Sequence, residues 1–171
     1  MTKTSFLACG AAFWALILTL AGLGATPASA EDPIERGRYL ATVMDCGGCH
    51  TPGSLAGQPD MAHALGGSNI GFEIPGLGVF YPPNLTSDQE TGLGKWSEAE
   101  IITAIRTGIR PDGRELAPIM AWRSYSALTD ADAHALALYL KSLPPFSNQI
   151  PAIAGSGAQA THPYMTVVVP E

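Results

Sequence analysis

Cys46-Gly47-Gly48-Cys49-His50 is the segment in which residue type and spacing together specify a chemistry. Two thiols three residues apart lie about one helical turn from each other. Each can add across one of the two vinyl groups of a haem, forming a thioether. The histidine after Cys49 is then carried beneath the ring, where a nitrogen can bind the iron. This is the Cys-x-x-Cys-His pattern of covalent haem attachment. The competing chemistries require features that are missing. A thioredoxin-like dithiol belongs in a βαβ setting, whereas these residues run into a loop-rich stretch. A zinc site takes four ligands, and the sequence holds no second Cys-x-x-Cys. A disulfide across so short an interval constrains almost no chain.

His50 supplies one axial ligand, and the candidates for the other are Met44, Met61, Met120, Met165, His63, His134 and His162. Met44 is too near the anchor to reach the far face. His134 falls on the outer side of a helix, by its spacing from Leu136 and Leu140. His162 and Met165 belong to a tail-like segment, and Met61 and His63 have no local framing. Met120 lies between Leu116-Ala117-Pro118-Ile119 and Ala121-Trp122, a stiff apolar stretch between two helices that can wrap over a ring face. A His50–Met120 pair leaves no open coordination position. The expected chemistry is one-electron cycling of the iron, with methionine ligation raising the potential. Lys95, Arg106, Arg110, Arg114 and Arg123 cluster in sequence around Met120. One or two of them, with Trp96 or Trp122, are candidates to meet the haem propionates; solvated charge and core packing are the alternatives.

Few regular elements are expected to position these residues. Asp32-Pro33 opens a helix as N-cap and first residue. Its apolar stripe is Ile34, Tyr39, Leu40, Val43 and Met44, and Gly47-Gly48 ends it. Gly37 within it costs roughly 1 kcal/mol relative to alanine, which implies a close approach to the backbone there. Residues 51–94 read as mostly irregular, with at most a short helix near Met61 to Leu65. A loop region so long is reasonable when a large apolar cofactor supplies the core it wraps. Ser97 and Glu100 form a capping box for a helix from Glu98 to Thr107, closed by Gly108. Thr129 caps a last helix ending at Leu143, before Pro144-Pro145.

The ends and the composition narrow the class further. Residues 1–30 read as a secretory signal peptide: Lys3, an uncharged stretch from Phe6 to Gly24, and Ala28-Ser29-Ala30 as a cleavage site. An uncleaved membrane anchor is the alternative, and the only route to the membrane. The expected organisation is a domain over 31–146 and an extended tail over 147–171, with Thr166 to Val169 read as a strand or docking segment. Charged residues are only 14% and hydrophobic ones 46%, which excludes a disordered acidic chain and a basic nucleic-acid binder. The net charge of −6 becomes −7 when Lys3 leaves with the leader, so an electrostatic partner is expected to present a basic face.

From Pro33 to Pro145 the sequence resembles a class I c-type cytochrome. Gly37-Arg38-Tyr39-Leu40-Ala41 is similar to the family's first helix, where the glycine lets the last helix cross, here on Leu136, Tyr139 and Leu140. Pro83-Asn84-Leu85-Thr86, Thr91 to Ser97, Pro111-Asp112-Gly113-Arg114 and Met120-Ala121-Trp122 resemble the cytochrome subunits of bacterial periplasmic dehydrogenases for alcohols, sugars and sugar acids. In those the methionine is usually followed by proline, where this chain has Ala121. The resemblance implies an all-α class I fold, few helices with long loops around one covalent haem c. It implies no enzyme but a periplasmic one-electron carrier between a dehydrogenase and a terminal oxidase or another cytochrome. A haem sensor or enzyme with a labile sixth ligand is the second reading.

Overall fold

The computed structural model describes residues 31–170. The expected leader and its cleavage site lie outside the described residues. Among the described residues five α-helices carry the framework: α1 (Pro33–Val43), α2 (Cys46–His50), α3 (Glu98–Thr107), α4 (Trp122–Tyr125) and α5 (Asp130–Ser142). Their ends follow the local chemistry. Asp32 accepts a hydrogen bond from the Ile34 amide at 2.9 Å. Ser97 and Glu100 close a reciprocal capping box on α3, and Gly108 ends that helix at a φ of 77°. Thr129 accepts from the Asp132 amide at the start of α5.

The core forms where α1 and α3 pack on α5, around Leu40, Ile101, Ile105, Leu136 and Leu140. Gly37 makes the α1–α5 crossing possible. A Cβ built there would stand 2.1 Å from the Ala135 carbonyl oxygen and 2.6 Å from the Tyr139 Cβ. Both obstacles belong to α5 near its backbone, so neither can rotate away. The Arg36 Nε–Asp132 Oδ1 bond of 2.8 Å fixes the same crossing from its flank.

The expectation of an all-α fold is corrected by a small three-stranded sheet in the order β2-β1-β3: β1 (Gly71–Ile74), β2 (Gly78–Phe80) and β3 (Tyr164–Met165). β1 and β2 form an antiparallel hairpin with Phe72 opposite Phe80. Its turn passes through Gly76 at a φ of 77°. β3 joins parallel to β1, with Gly71 opposite Tyr164. The glycines that made residues 51–94 read as irregular are the residues that turn the hairpin and admit its neighbours. A Cβ on Gly78 would meet the Ala154 carbonyl oxygen at 2.2 Å. The segment from Phe146 to Met165 is extended but docked: Ala154 bridges Val79, and the Tyr81 hydroxyl donates to the His162 carbonyl at 3.2 Å. The strand lies at Tyr164–Met165, ahead of the stretch named from sequence; Val167, Val168 and Val169 are each about four-fifths exposed.

Two outcomes follow for the crossing. Gly37→Ala adds a methyl group against backbone, an overpacking cost of about 1–3 kcal/mol that exceeds the gain of up to ~1 kcal/mol in helix propensity. Denaturant unfolding is therefore expected to show a less stable variant, and a more stable one contradicts the crossing. Arg36 and Thr129 hold the Asp132 carboxyl below the usual carboxylate range. Its contribution is complete above pH ~4, where the unfolded carboxyl is ionised, and is lost as pH falls through the lower native value. Asp132→Asn should lose stability less steeply than the parent over that acid range; parallel curves contradict this.

Candidate haem site

α2 is a single turn that follows Asp45, whose backbone takes a left-handed φ of 54° and separates it from α1. It places Cys46, Cys49 and His50 together. Both cysteines are free and half-buried. Burial pushes the Cys46 thiol up to about 11 and raises the Cys49 thiol as well. Thiols held protonated are poor disulfide-exchange nucleophiles.

His50 is 7% exposed. Burial lowers its pKa, with the bond to Pro83 opposing, so the ring is neutral at physiological pH. Nδ1 lies 2.8 Å from the Pro83 carbonyl oxygen. A carbonyl only accepts, so Nδ1 carries the proton and Nε2 keeps its lone pair for a metal. The backbone beyond the ring is pinned too. The Gly67 amide donates to the His50 carbonyl at 2.6 Å, and the Leu65 amide donates to the buried Thr51 hydroxyl at 3.1 Å.

Met120 is half-buried in a turn before α4: its amide donates to the Ala117 carbonyl, and its carbonyl accepts from the Trp122 amide. α4 is tied to the end of α1, just ahead of the attachment turn, because the Tyr125 hydroxyl donates to the Met44 carbonyl at 3.2 Å. Met44 packs on the core at the end of α1. Met61 is 70% exposed, and Met165 is exposed on the edge strand. His63 bonds Asp60 at 2.6 Å, His134 faces Glu98 at 3.5 Å, and His162 contacts the Thr161 hydroxyl.

The basic residues around Met120 divide clearly. Lys95 pairs with Glu90, Arg106 with Asp130, Arg110 with Asp112 and Arg123 with Glu115. Arg114 has no carboxylate partner among the described residues, and its guanidinium pKa is lowered by burial and by Arg110. Trp122 Nε1 is the one buried side-chain nitrogen or oxygen without a hydrogen-bond partner among the described residues. An orphaned N–H calls for an acceptor. Two unbonded thiols, a neutral imidazole with one nitrogen free and an unpaired buried donor are a donor set that fits haem. The residues that sequence reasoning missed are Thr51, Tyr125 and the Pro83 carbonyl. Pro83 and Tyr125 carried a signal, through the stretches that bear the family resemblance, and Thr51 carried none.

Thr51→Val tests the support of His50. It keeps shape but leaves the buried Leu65 amide unpaired, at a cost of about 1–3 kcal/mol. Thermal or denaturant unfolding should register that loss, and an unchanged midpoint contradicts the assigned bond.

Comparison with known proteins shows the family. The family profile for cytochrome c matches residues 34–144. Over 119 residues the chain is 40% identical to a nicotinate dehydrogenase subunit of Pseudomonas putida, covering 70% of this chain and 9% of that protein. Over 138 residues it is 38% identical to the cytochrome c subunit of quinone alcohol dehydrogenase of Gluconacetobacter polyoxogenes, covering 77% and 29%. Over 116 residues it is 39% identical to the fructose dehydrogenase cytochrome subunit of Gluconobacter japonicus, covering 67% and 22%. The aligned part is thus less than a third of the length of each of these relatives. Among the described residues no helix is long and apolar enough to cross a membrane. A family match spanning α1 to α5, together with the attachment turn and its neutral histidine, means that the chain belongs to the cytochrome c family, which implies covalently bound haem c.

Proposed function

We propose that this chain is an exported mono-haem electron carrier that accepts electrons from a periplasmic dehydrogenase and passes them to a terminal oxidase or another cytochrome. The observation that carries the reading is His50: buried, neutral, with Nδ1 held by Pro83 and Nε2 free, one residue beyond two unbonded thiols on the same turn. Cys46 and Cys49 would hold the haem through thioethers, and His50 and Met120 would bind its iron. One attachment motif in the sequence corresponds to one haem. The bound haem supplies reversible one-electron redox chemistry.

The remaining work falls to the polypeptide. Pro83 fixes the tautomer of His50, so Nε2 binds metal without first losing a proton. The turn at Ala117–Trp122 would present the thioether of Met120, and Tyr125, on the helix that follows, ties it to the end of α1. With His50 and Met120 both holding the iron, the bound haem would have no open site for oxygen or peroxide. The negative net charge, −6 with the leader, favours a partner with a basic face. The relatives that are named as dehydrogenase subunits support a dehydrogenase as donor. Residues 1–30 act as the export leader, residues 31–146 as the redox domain and residues 147–171 as an appended segment.

Met120→Ala tests the ligand assignment. Loss of the thioether removes its preference for ferrous iron. Spectroscopic redox titration should show the potential falling by at least about 60 mV, a tenfold change for a one-electron couple. The ferric methionine–iron charge-transfer band should vanish with it. An unchanged potential and band assign the position to another residue, Met61 or His63 first.

A further inference from the structure

Beyond Pro83, the motif Pro83-Asn84-Leu85-Thr86 meets the segment after α5. They are joined by a buried network. Asn84 is 1% exposed, and all of its side-chain polar atoms are used. Its Oδ1 accepts from the Thr86 amide at 2.9 Å and from the Thr86 hydroxyl at 2.7 Å. Its Nδ2 donates to the Phe146 carbonyl at 2.7 Å and to the Thr91 hydroxyl at 3.1 Å. Thr91 in turn accepts from the Asn148 amide at 3.0 Å. Asn84 directly follows the residue whose carbonyl holds His50.

A second route links the same segment to His50. The Asn148 side chain donates to the Gly66 carbonyl at 2.9 Å. Phe146 stacks on His63 with ring centroids 4.0 Å apart. It also lies against Gly66, where a Cβ would stand 2.5 Å from its ring. The next residue, Gly67, donates its amide to the His50 carbonyl. The segment over 146–150 therefore braces the carbonyl that meets the ring of His50 and the amide that meets its backbone.

We infer that Asn84 is a positioning residue for the axial histidine, with residues 146–150 as its strap. It holds the Pro83 carbonyl at hydrogen-bonding distance from Nδ1, and so sets the orientation and basicity of the imidazole. The inference rests on His50 being an iron ligand. A firmly held acceptor on Nδ1 makes the ring a stronger donor to the metal, which favours ferric iron. Loosening the acceptor moves the balance toward ferrous iron.

The test uses the full chain with its haem and four variants. Asn84→Ala removes both arms of the network. Asn84→Ser keeps a weaker local bond to the Thr86 amide and loses the strap arm. Asn148→Ala removes only the link to Gly66. Gly37→Ala, at the α1–α5 crossing and outside the Asn84 network, serves as a destabilised control. Asn84→Ala is expected to raise the reduction potential and to displace the paramagnetically shifted His50 ring signals in the ferric NMR spectrum. The methionine–iron band should persist. Asn84→Ser and Asn148→Ala should show smaller shifts of the same sign, and Gly37→Ala neither change. If Asn84→Ala does not fold, Asn84→Ser and Asn148→Ala decide. Asn84 and Asn148 variants with the parent's potential and ring signals overturn the positioning role and leave the ligand assignment intact. A parent protein without attached haem overturns the reading beneath it, and the inference falls too.

Discussion

The structure turns on one hydrogen bond, from His50 Nδ1 to the Pro83 carbonyl oxygen. A buried imidazole has two nitrogens to account for, and an unpaired one is costly away from water. Giving one to a backbone carbonyl fixes the proton on Nδ1 and leaves Nε2 as a lone-pair donor. Burial keeps the ring from taking a second proton, which would abolish that donor. A bond across 33 residues also commits the whole intervening loop. The turns at Gly53, Gly57 and Gly67, all at positive φ, bring the chain back from His50 to Pro83.

The helical frame serves this arrangement from the other side. α1 and α5 approach closely because Gly37 has no side chain, and α1 delivers the chain to the attachment turn. α5 is rich in alanine where it is buried, with Ala133, Ala135 and Ala137 all nearly inaccessible, so it can lie flat against its neighbours. Lys141 at its C-terminal end donates to the Gly94 and Trp96 carbonyls, linking α5 to the loop that precedes α3. Tyr125 completes the circuit by joining α4 to the end of α1. The apolar core among helices is modest, and the site sits at its margin, where a large apolar ring would extend it.

Much of this was legible in the residues. The capped helices α1, α3 and α5 announce themselves through Asp32, Ser97, Glu100 and Thr129, because capping is local and side-chain chemistry reports it directly. The attachment turn was legible for the same reason: three reactive side chains stand within five residues. The sheet was not. Its hairpin is glycine-flanked and short, and β3 is two residues long, supported by pairing partners about 90 positions away. The docking of residues 146–165 was hidden by a composition that resembles a linker. The role of Pro83 was not legible even though its motif was, since any residue offers a carbonyl and only the folded loop brings this one to His50.

The central claim is that one haem is bonded to both thiols of α2. The direct measurement is mass spectrometry of the purified, exported protein after denaturation, followed by proteolytic mapping of the coloured peptide. The account predicts that colour stays with the polypeptide, that the mass exceeds the chain by one haem, and that the haem peptide contains Cys46 and Cys49. A denatured chain of bare polypeptide mass, or haem carried on a peptide lacking these two cysteines, contradicts it.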